Sequence, residues 1–277
     1  MTSPASPAQS SPRRRPTLIK LGGELLEQES RLIELAATLV RIGVQGPLVT
    51  VHGGGKEIDR ELARRGIAKR SVDGIRITDA ATLSVVVSIL AGAVNTRLVA
   101  AMVAAGGRAV GLTGADAALV PVEPAPPHAA TDGRTVDLEF VGRPIARGAP
   151  PLLVRLLDGG YLPVVASIGA ASDGRLYNVN ADTLAAHLAA RIGASRLVIA
   201  GTTPGVLDAA GAPIARLGAA TIHDRIASGE AHGGMAAKLT ACLEALEAGV
   251  SEVVVVDGRT PGNLETGSGT HIEQEKP

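Results

Sequence analysis

Short runs rich in Val, Ile and Leu alternate along this chain with longer stretches whose apolar residues recur at helical spacing. Glycine clusters stand where the short runs end. A strand covered by helices on both faces reads as a continuous apolar run, so this alternation restricts the chain to few folds. The runs expected as strands are Thr17–Leu21, Pro47–Val51, Ala109–Leu112, Leu162–Ala166, Arg196–Ile199 and Glu252–Val256. The expected helices are Ser30–Ile42, Lys56–Arg65, Asp79–Ala105, Pro151–Asp158, Asp182–Ile192, Thr221–Ser228 and Met235–Ala248. In the first of them Leu32, Leu35, Ala36 and Leu39 share one face. Repeated strand–helix–strand units build a mainly parallel sheet with helices on both sides. Ligands of such sheets bind beyond the carboxyl ends of the strands. The pattern breaks once, where Val120–Val122 and Val136–Val141 flank the polar, Pro-rich stretch Glu123–Gly133. That segment is expected to form a hairpin or an excursion.

The length, 277 residues, suits one large domain or two lobes sharing a sheet. Lys plus Arg and Asp plus Glu balance at 27 each, so no global field steers the chain to nucleic acid or an anionic membrane. Phe140, Tyr161 and Tyr177 are its only aromatic residues, too few for a base-stacking platform. Cys242 has no cysteine to pair with, so nothing asks for an oxidising compartment. Residues 1–16 are rich in Ser, Pro and Ala and are expected to be a disordered tail, not a secretory signal. Val85–Val94 is shorter than the roughly 20 residues a bilayer span requires, and Asn95 and Arg97 interrupt the apolar run beyond it. The expectation is a soluble cytoplasmic protein that engages neither nucleic acid nor membrane.

Lys20 sits inside the apolar strand Leu18–Leu21 and is followed by Gly22 and Gly23. A lysine there either snorkels to the strand's rim or serves a ligand. The glycine pair favours the second reading, because it lets a backbone approach closely and offer its N–H groups. His52-Gly53-Gly54-Gly55 leads straight into a helix, and a glycine turn at a helix N-terminus is a ready anion site. The P-loop spacing fails because Glu57 follows Lys56, and the dinucleotide fingerprint fails at Ile58. A hydrolase oxyanion loop would need a G-x-S-x-G elbow, which the chain lacks. Arg76 stands between apolar residues ahead of a helix that Thr78 or Asp79 would cap, and is either a surface residue or a carboxylate clamp. Asn178 and Asn180 alternate with apolar residues, and Asp182 is either a helix N-cap or functional. Lys238 lies a turn into the helix behind Gly233-Gly234, either solvated or within reach of a phosphate. The histidines show no metal-ligand spacing, so no protein-held metal is expected.

Taken in order, the blocks LIKLGG, VHGGG, DGIRIT, GLTGAD, GYLPVVASIG, YNVNAD, PGVLD and GGMAAK resemble the amino acid kinase family, from about Thr17 to Ile272. Within it the resemblance is to members that act on N-acetylglutamate. It implies an open three-layer α/β/α sandwich with a mainly parallel central sheet and two lobes. Residues 17–193 would bind the acyl amino acid and dimerise, and residues 194–277 would bind ATP. It also implies ATP-dependent phosphorylation of the side-chain carboxylate of N-acetyl-L-glutamate, in arginine biosynthesis. Mg2+ would accompany the nucleotide. Lys20 and Lys238 stand at the family's phosphate-binding lysines, and Asp182 at the aspartate that orients them. Gly54, Gly55, Arg76 and Asn178 occupy substrate positions. Gly22, Gly23, Thr202, Gly205, Gly234 and Met235 fall in the nucleotide region.

The chain departs from the family where Thr202 replaces an aspartate, and in a short segment after Asp257. Residues 1–16 lack the helical pattern of arginine-inhibited members, so the expectation is an arginine-insensitive homodimer. Two other readings stay open: a kinase for a carrier-linked aminoadipate, with Arg64–Arg70 as docking surface, and a non-catalytic amino-acid sensor.

Overall fold

Thr17–Leu21 forms β1, buried over all but its first residue. In the computed structural model, which describes residues 14–145 and 148–274, a 3-10 turn (Gly23–Leu26) comes next. Then come α1 (Glu29–Gln45), β2 (Leu48–His52) and α2 (Gly55–Arg64). A small hairpin of β3 (Ser71–Val72) and β4 (Ile75–Arg76) precedes α3 (Ala80–Val87), which Asp79 caps by accepting from the Thr82 amide at 2.8 Å. A π-helical turn (Ser88–Val94) joins α3 to α4 (Asn95–Ala104), so the expected long helix forms with a widened turn in its middle. β5 (Ala109–Thr113) leads into the excursion, which consists of short pairs: β6 (Val122–Pro124) with β9 (Gly142–Pro144), and β7 (His128–Ala129) with β8 (Thr135–Val136). The expected strand Val136–Val141 does not form. Glu139 takes a positive φ of 58°, and its amide donates to the Asp137 carboxylate at 2.8 Å, which turns the chain.

α5 (Pro151–Asp158) and β10 (Leu162–Ala166) are followed by a hairpin that periodicity does not reveal, β11 (Ile168–Ala170) with β12 (Leu176–Asn178). α6 (Ala181–Arg191), β13 (Arg196–Gly201), β14 (Arg216–Gly218), α7 (Ala219–Ala227), α8 (Gly233–Glu247), β15 (Glu252–Asp257), α9 (Gly262–Thr266) and β16 (Gly269–Glu273) complete the order. The sheet has eight strands in the order β14-β16-β15-β13-β1-β2-β10-β5. β16 runs antiparallel to β15, and the other pairings are parallel. β1 lies between β2 and β13, so chain before and after residue 194 meets at the middle of one sheet.

Side-chain alternation sorts the core into two layers. Leu18, Val49, Val51, Leu197, Ile199, Val253 and Val255 pack with Leu184 and Leu188 of α6 and Leu239, Cys242 and Leu246 of α8. Ile19, Leu21, Leu48, Val198, Val254 and Val256 pack with Leu32, Leu35 and Leu39 of α1 and Leu98 and Met102 of α4. The architecture is therefore a three-layer α/β/α sandwich. Ala80–Ala104 is long and apolar enough by length and composition alone to cross a membrane, but its Leu98 and Met102 are wholly buried in this core.

The expected tail falls outside the described residues up to residue 13. Contrary to the expectation, residues 14–16 are held in place, at the amino ends of the central strands β1, β2 and β13. Arg14 donates to the Gln45 carbonyl (2.7 Å), Arg15 to those of Gly193 and Ala194 (2.9 and 3.1 Å), and the Ser195 amide to Pro16 (2.9 Å).

Candidate active site

The pleat that places Leu18 against α6 and α8 sends Lys20 the same way, two residues on. Lys20 is only 8% exposed, and its Nζ lies 2.9 Å from Oδ1 of Asp182, itself 7% exposed. Lys238, on α8, approaches the same carboxylate at 3.5 Å. Two ammonium groups from distant parts of the chain thus converge on one buried anion. Burial pushes the Asp182 carboxyl up, but the charges of Lys20 and then Lys238 outweigh it and hold it below its ordinary value. Burial and the Lys20 charge lower Lys238, against the pull of Asp182.

The N-cap of α6 is not Asp182. Asn180 caps this helix, its Oδ1 accepting from the amides of Asp182 (2.8 Å) and Thr183 (3.1 Å). The cap frees the Asp182 side chain for the lysines. It also separates the two asparagines that alternation groups on one face. Asn178 instead donates from Nδ2 to Thr78 Oγ1 at 3.1 Å.

Beside the lysines, the loops after β1 and β2 touch. A Cβ built on Gly23 would lie 2.5 Å from the Gly54 Cα, and one on Gly54 would lie 2.8 Å from Leu90 Cδ2 of the π turn. The backbone contact requires glycine at position 23, whereas at position 54 a Cβ would have to displace the Leu90 side chain. Gly55 opens α2, whose first amides have no partner within the helix. The Gly54 amide donates to no group among the described residues. Gly22 differs, because its amide already donates to the Ala200 carbonyl at 2.9 Å inside the sheet. Of the two N–H groups expected from the Gly22-Gly23 pair, the first is therefore not free for a ligand.

Arg76 folds over the start of α2. Its Nη2 donates to the Gly55 carbonyl (3.3 Å) and to Asp59 Oδ1 (2.5 Å), while its buried Nη1 has no partner among the described residues. Asp59 lies inside α2 in no recognisable motif, so the sequence gives no sign of this pairing. Its carboxylate holds both Arg76 and Lys69, and their bonds outweigh burial to lower its pKa. The β3–β4 turn carrying this arginine meets the start of α8, where a Cβ on Gly74 would lie 3.2 Å from the Gly233 Cα.

On the opposite side, Thr202 follows β13 directly, and Gly233 takes a φ of 54° as α8 begins. Gly234 leaves open space where a side chain would stand, and the Met235 amide is used within the turn, donating to His232 at 3.2 Å. Gly205 has a packing reason of its own. With φ at 139°, its missing Cβ leaves room for Thr270 Oγ1, which would lie 2.4 Å away and which accepts from the Val206 amide. Among the described residues no group of three or more His, Cys, Asp or Glu side chains is placed to hold a metal ion. The central carboxylate, Asp182, is taken by two lysines, so the site does not fit a protein-held cation.

The model of the amino acid kinase family matches residues 15–257. The chain is 37% identical over 268 residues to the acetylglutamate kinase of Zymomonas mobilis, covering 92% of this chain and 88% of that one. It is 39% identical over 252 residues to that of Sphingopyxis alaskensis, covering 88% and 82%. Among solved structures it superposes on N-acetylglutamate synthase from Neisseria gonorrhoeae, complexed with coenzyme A and N-acetyl-glutamate, with a TM-score of 0.80 at 26% identity. That match covers 96% of this chain and 61% of the synthase chain.

Proposed function

Because this chain belongs to the amino acid kinase family, we propose that it transfers the γ-phosphoryl group of ATP to the side-chain carboxylate of N-acetyl-L-glutamate, a step of arginine biosynthesis. The observation that carries the reading is the convergence of Lys20 and Lys238 on buried Asp182, at 2.9 and 3.5 Å. The acceptor carboxylate is ionised at neutral pH, so it needs no general base. A carboxylate oxygen attacks the γ-phosphorus, the new C–O–P linkage forms, the bond to the bridging oxygen breaks, and ADP leaves with its electron pair. No proton moves. What hinders the reaction is the approach of two anions and the charge on the transferring group, and positioning and electrostatics answer both.

In this reading Lys20 and Lys238 bind the phosphoryl oxygens from two sides, and Asp182 keeps both side chains in place. The amides of Gly23, Gly54 and the first turn of α2 complete the cradle. Arg76 holds the α-carboxylate of the substrate, which its unpartnered Nη1 supports, and Asn178 its polar groups. Thr202, Gly234 and Met235 border the nucleotide. Mg2+ would accompany the ATP phosphates, since among the described residues no group of three or more His, Cys, Asp or Glu side chains is placed to hold it.

The protein works in the cytoplasm as a homodimer. Ser84, Ser88, Gly92, Thr96 and Ala100 form an exposed row of small residues along the long helix, which lets a second helix approach closely. ADP release with N-acetylglutamate, compared with free glutamate and carrier-linked aminoadipate, tests the substrate. A preference for either of the latter overturns that assignment, and Lys20→Ala or Lys238→Ala with near-wild-type kcat overturns the lysine roles. Sedimentation as a monomer removes the dimer.

A further inference from the structure

His52 ends β2 and points away from the lysines, toward the long helix, where it is wholly buried. Its Nδ1 lies 3.2 Å from the Gly53 carbonyl oxygen, and its Nε2 lies 3.0 Å from Asn95 Nδ2. That same amide nitrogen is 3.0 Å from the Val164 carbonyl. These contacts admit one assignment of hydrogens. A carbonyl only accepts, so Nδ1 carries the proton and Asn95 presents its NH2 group to both Val164 and the lone pair on Nε2. Burial, against the pull of the Gly53 carbonyl, lowers the imidazole to about 4, with the Arg97 charge adding to the fall, so the ring is neutral near pH 7.

We propose that Asn95, acting through His52, aims the Gly54 amide for phosphoryl transfer, which makes this buried pair a positioning device for the reaction. The inference rests on the proposed phosphotransferase function. The Gly53 carbonyl and the Gly54 N–H belong to one trans peptide plane and point in opposite directions. Holding the oxygen against His52 therefore sends the N–H to the other side, away from the helix. That N–H donates to no group among the described residues, and Gly54 abuts Gly23 in the loop that follows Lys20. A peptide between two glycines has little preference of its own, so its direction must be imposed from outside.

The surroundings are built for the pair. The π turn brings Leu90 and Val94 against Gly54 and ends at Asn95, and such turns recur at functional positions in helices. Across the sheet, Gly111 leaves the space that the Asn95 oxygen fills, since a Cβ there would lie 2.1 Å from Oδ1. Neither His52 nor Asn95 touches the reacting groups in this arrangement. Both act through a peptide bond.

The test compares His52→Leu, Asn95→Leu and His52→Asn by steady-state kinetics, thermal melting and the 15N resonance of the Gly54 amide. The asparagine at position 52 keeps a donor close to where Nδ1 stands. His52→Leu and Asn95→Leu are expected to lower kcat about 10- to 100-fold with both KM values within about threefold, while His52→Asn stays within about fivefold of wild type. The Gly54 resonance is expected to move on adding ADP with aluminium fluoride in wild type and His52→Asn, and to stay still in His52→Leu. A folded His52→Leu protein with wild-type kcat, or a His52→Asn protein as slow as Asn95→Leu, overturns the proposal. So does an unchanged Gly54 response in His52→Leu. If His52→Leu does not fold, the contrast between His52→Asn and Asn95→Leu decides alone. A wild-type protein that phosphorylates none of the three candidate acceptors sinks the functional reading instead. The Gly54 response to nucleotide then still reports on the positioning.

Discussion

Replacing Asp182 with asparagine preserves shape and removes the one anion between Lys20 and Lys238. The two ammonium groups sit 2.9 and 3.5 Å from it, and the side chains of all three residues are at most 13% exposed. Removing one partner of a buried ion pair costs about 3–5 kcal/mol, because the remaining charge is left without compensation. Here two like charges are left, and part of the cost is relieved when Lys238, already lowered by burial and by Lys20, gives up its proton. At roughly 2–4 °C per kcal/mol in a chain of this size, the unliganded melting midpoint should fall by roughly 6 °C or more. If ATP binds as proposed, its negative charge enters between the lysines, so saturating nucleotide should raise the midpoint of Asp182→Asn by more than it raises wild type. The lysines would then bind without being aimed, and kcat should fall roughly 100-fold, the scale of losing one preorganised charge-stabilising contact. Differential scanning fluorimetry with and without ATP, together with a coupled ADP-release assay, measures both quantities. An Asp182→Asn protein that melts within about 2 °C of wild type and turns over at a similar rate would show that this carboxylate does not organise the lysines.

Arg76→Gln should raise the KM for N-acetylglutamate about 10- to 100-fold and change kcat less, since charge-assisted bonds are worth about 1.5–3 kcal/mol; a shift confined to kcat argues against a carboxylate clamp. Asn180→Ala should cost about 1 kcal/mol through the lost cap, and should lower kcat as well because Asp182 begins the same turn; urea melts and kinetics on one preparation read both, and full activity counts against the coupling. His52 titrates at about 4 in the folded chain against 6.5 unfolded, so the unfolded state takes up the extra proton as pH falls through that interval. Stability contributed by the neutral ring is complete above about pH 6.5, declines toward pH 4, and is reduced by roughly 2 kcal/mol at pH 5. His187, lowered to about 4 by burial and then by Arg191, adds in the same direction. Equal urea midpoints at pH 7.5 and 5 exclude this linkage.

The sandwich was legible because apolar period is a local property. Leu18 and Ile19 had to face opposite layers once β1 lay in a covered sheet, and helices α1, α5, α6 and α8 form within a few residues of their expected bounds. Short pieces were less legible. β11, β12, β14 and β16 span only 3–5 residues each, too short to show a period, and β14 pairs with β16 from more than fifty residues away. Glu139 shows the same limit in reverse, where a Val-rich run turns because a side chain outcompetes the ladder for an amide.

Local pattern was enough to place the glycine loops after β1 and β2 at the carboxyl ends of parallel strands. Packing between remote elements decided that Lys20 meets Lys238 across Asp182 and that the Gly22 amide is used up in the sheet. It also brought Asn95 to His52 and Asp59 to Arg76. The physical reason is one of range. Backbone period and capping preference act over a few residues and can be read along the chain. Which hydrogen-bonding group reaches which depends on packing between elements remote in sequence.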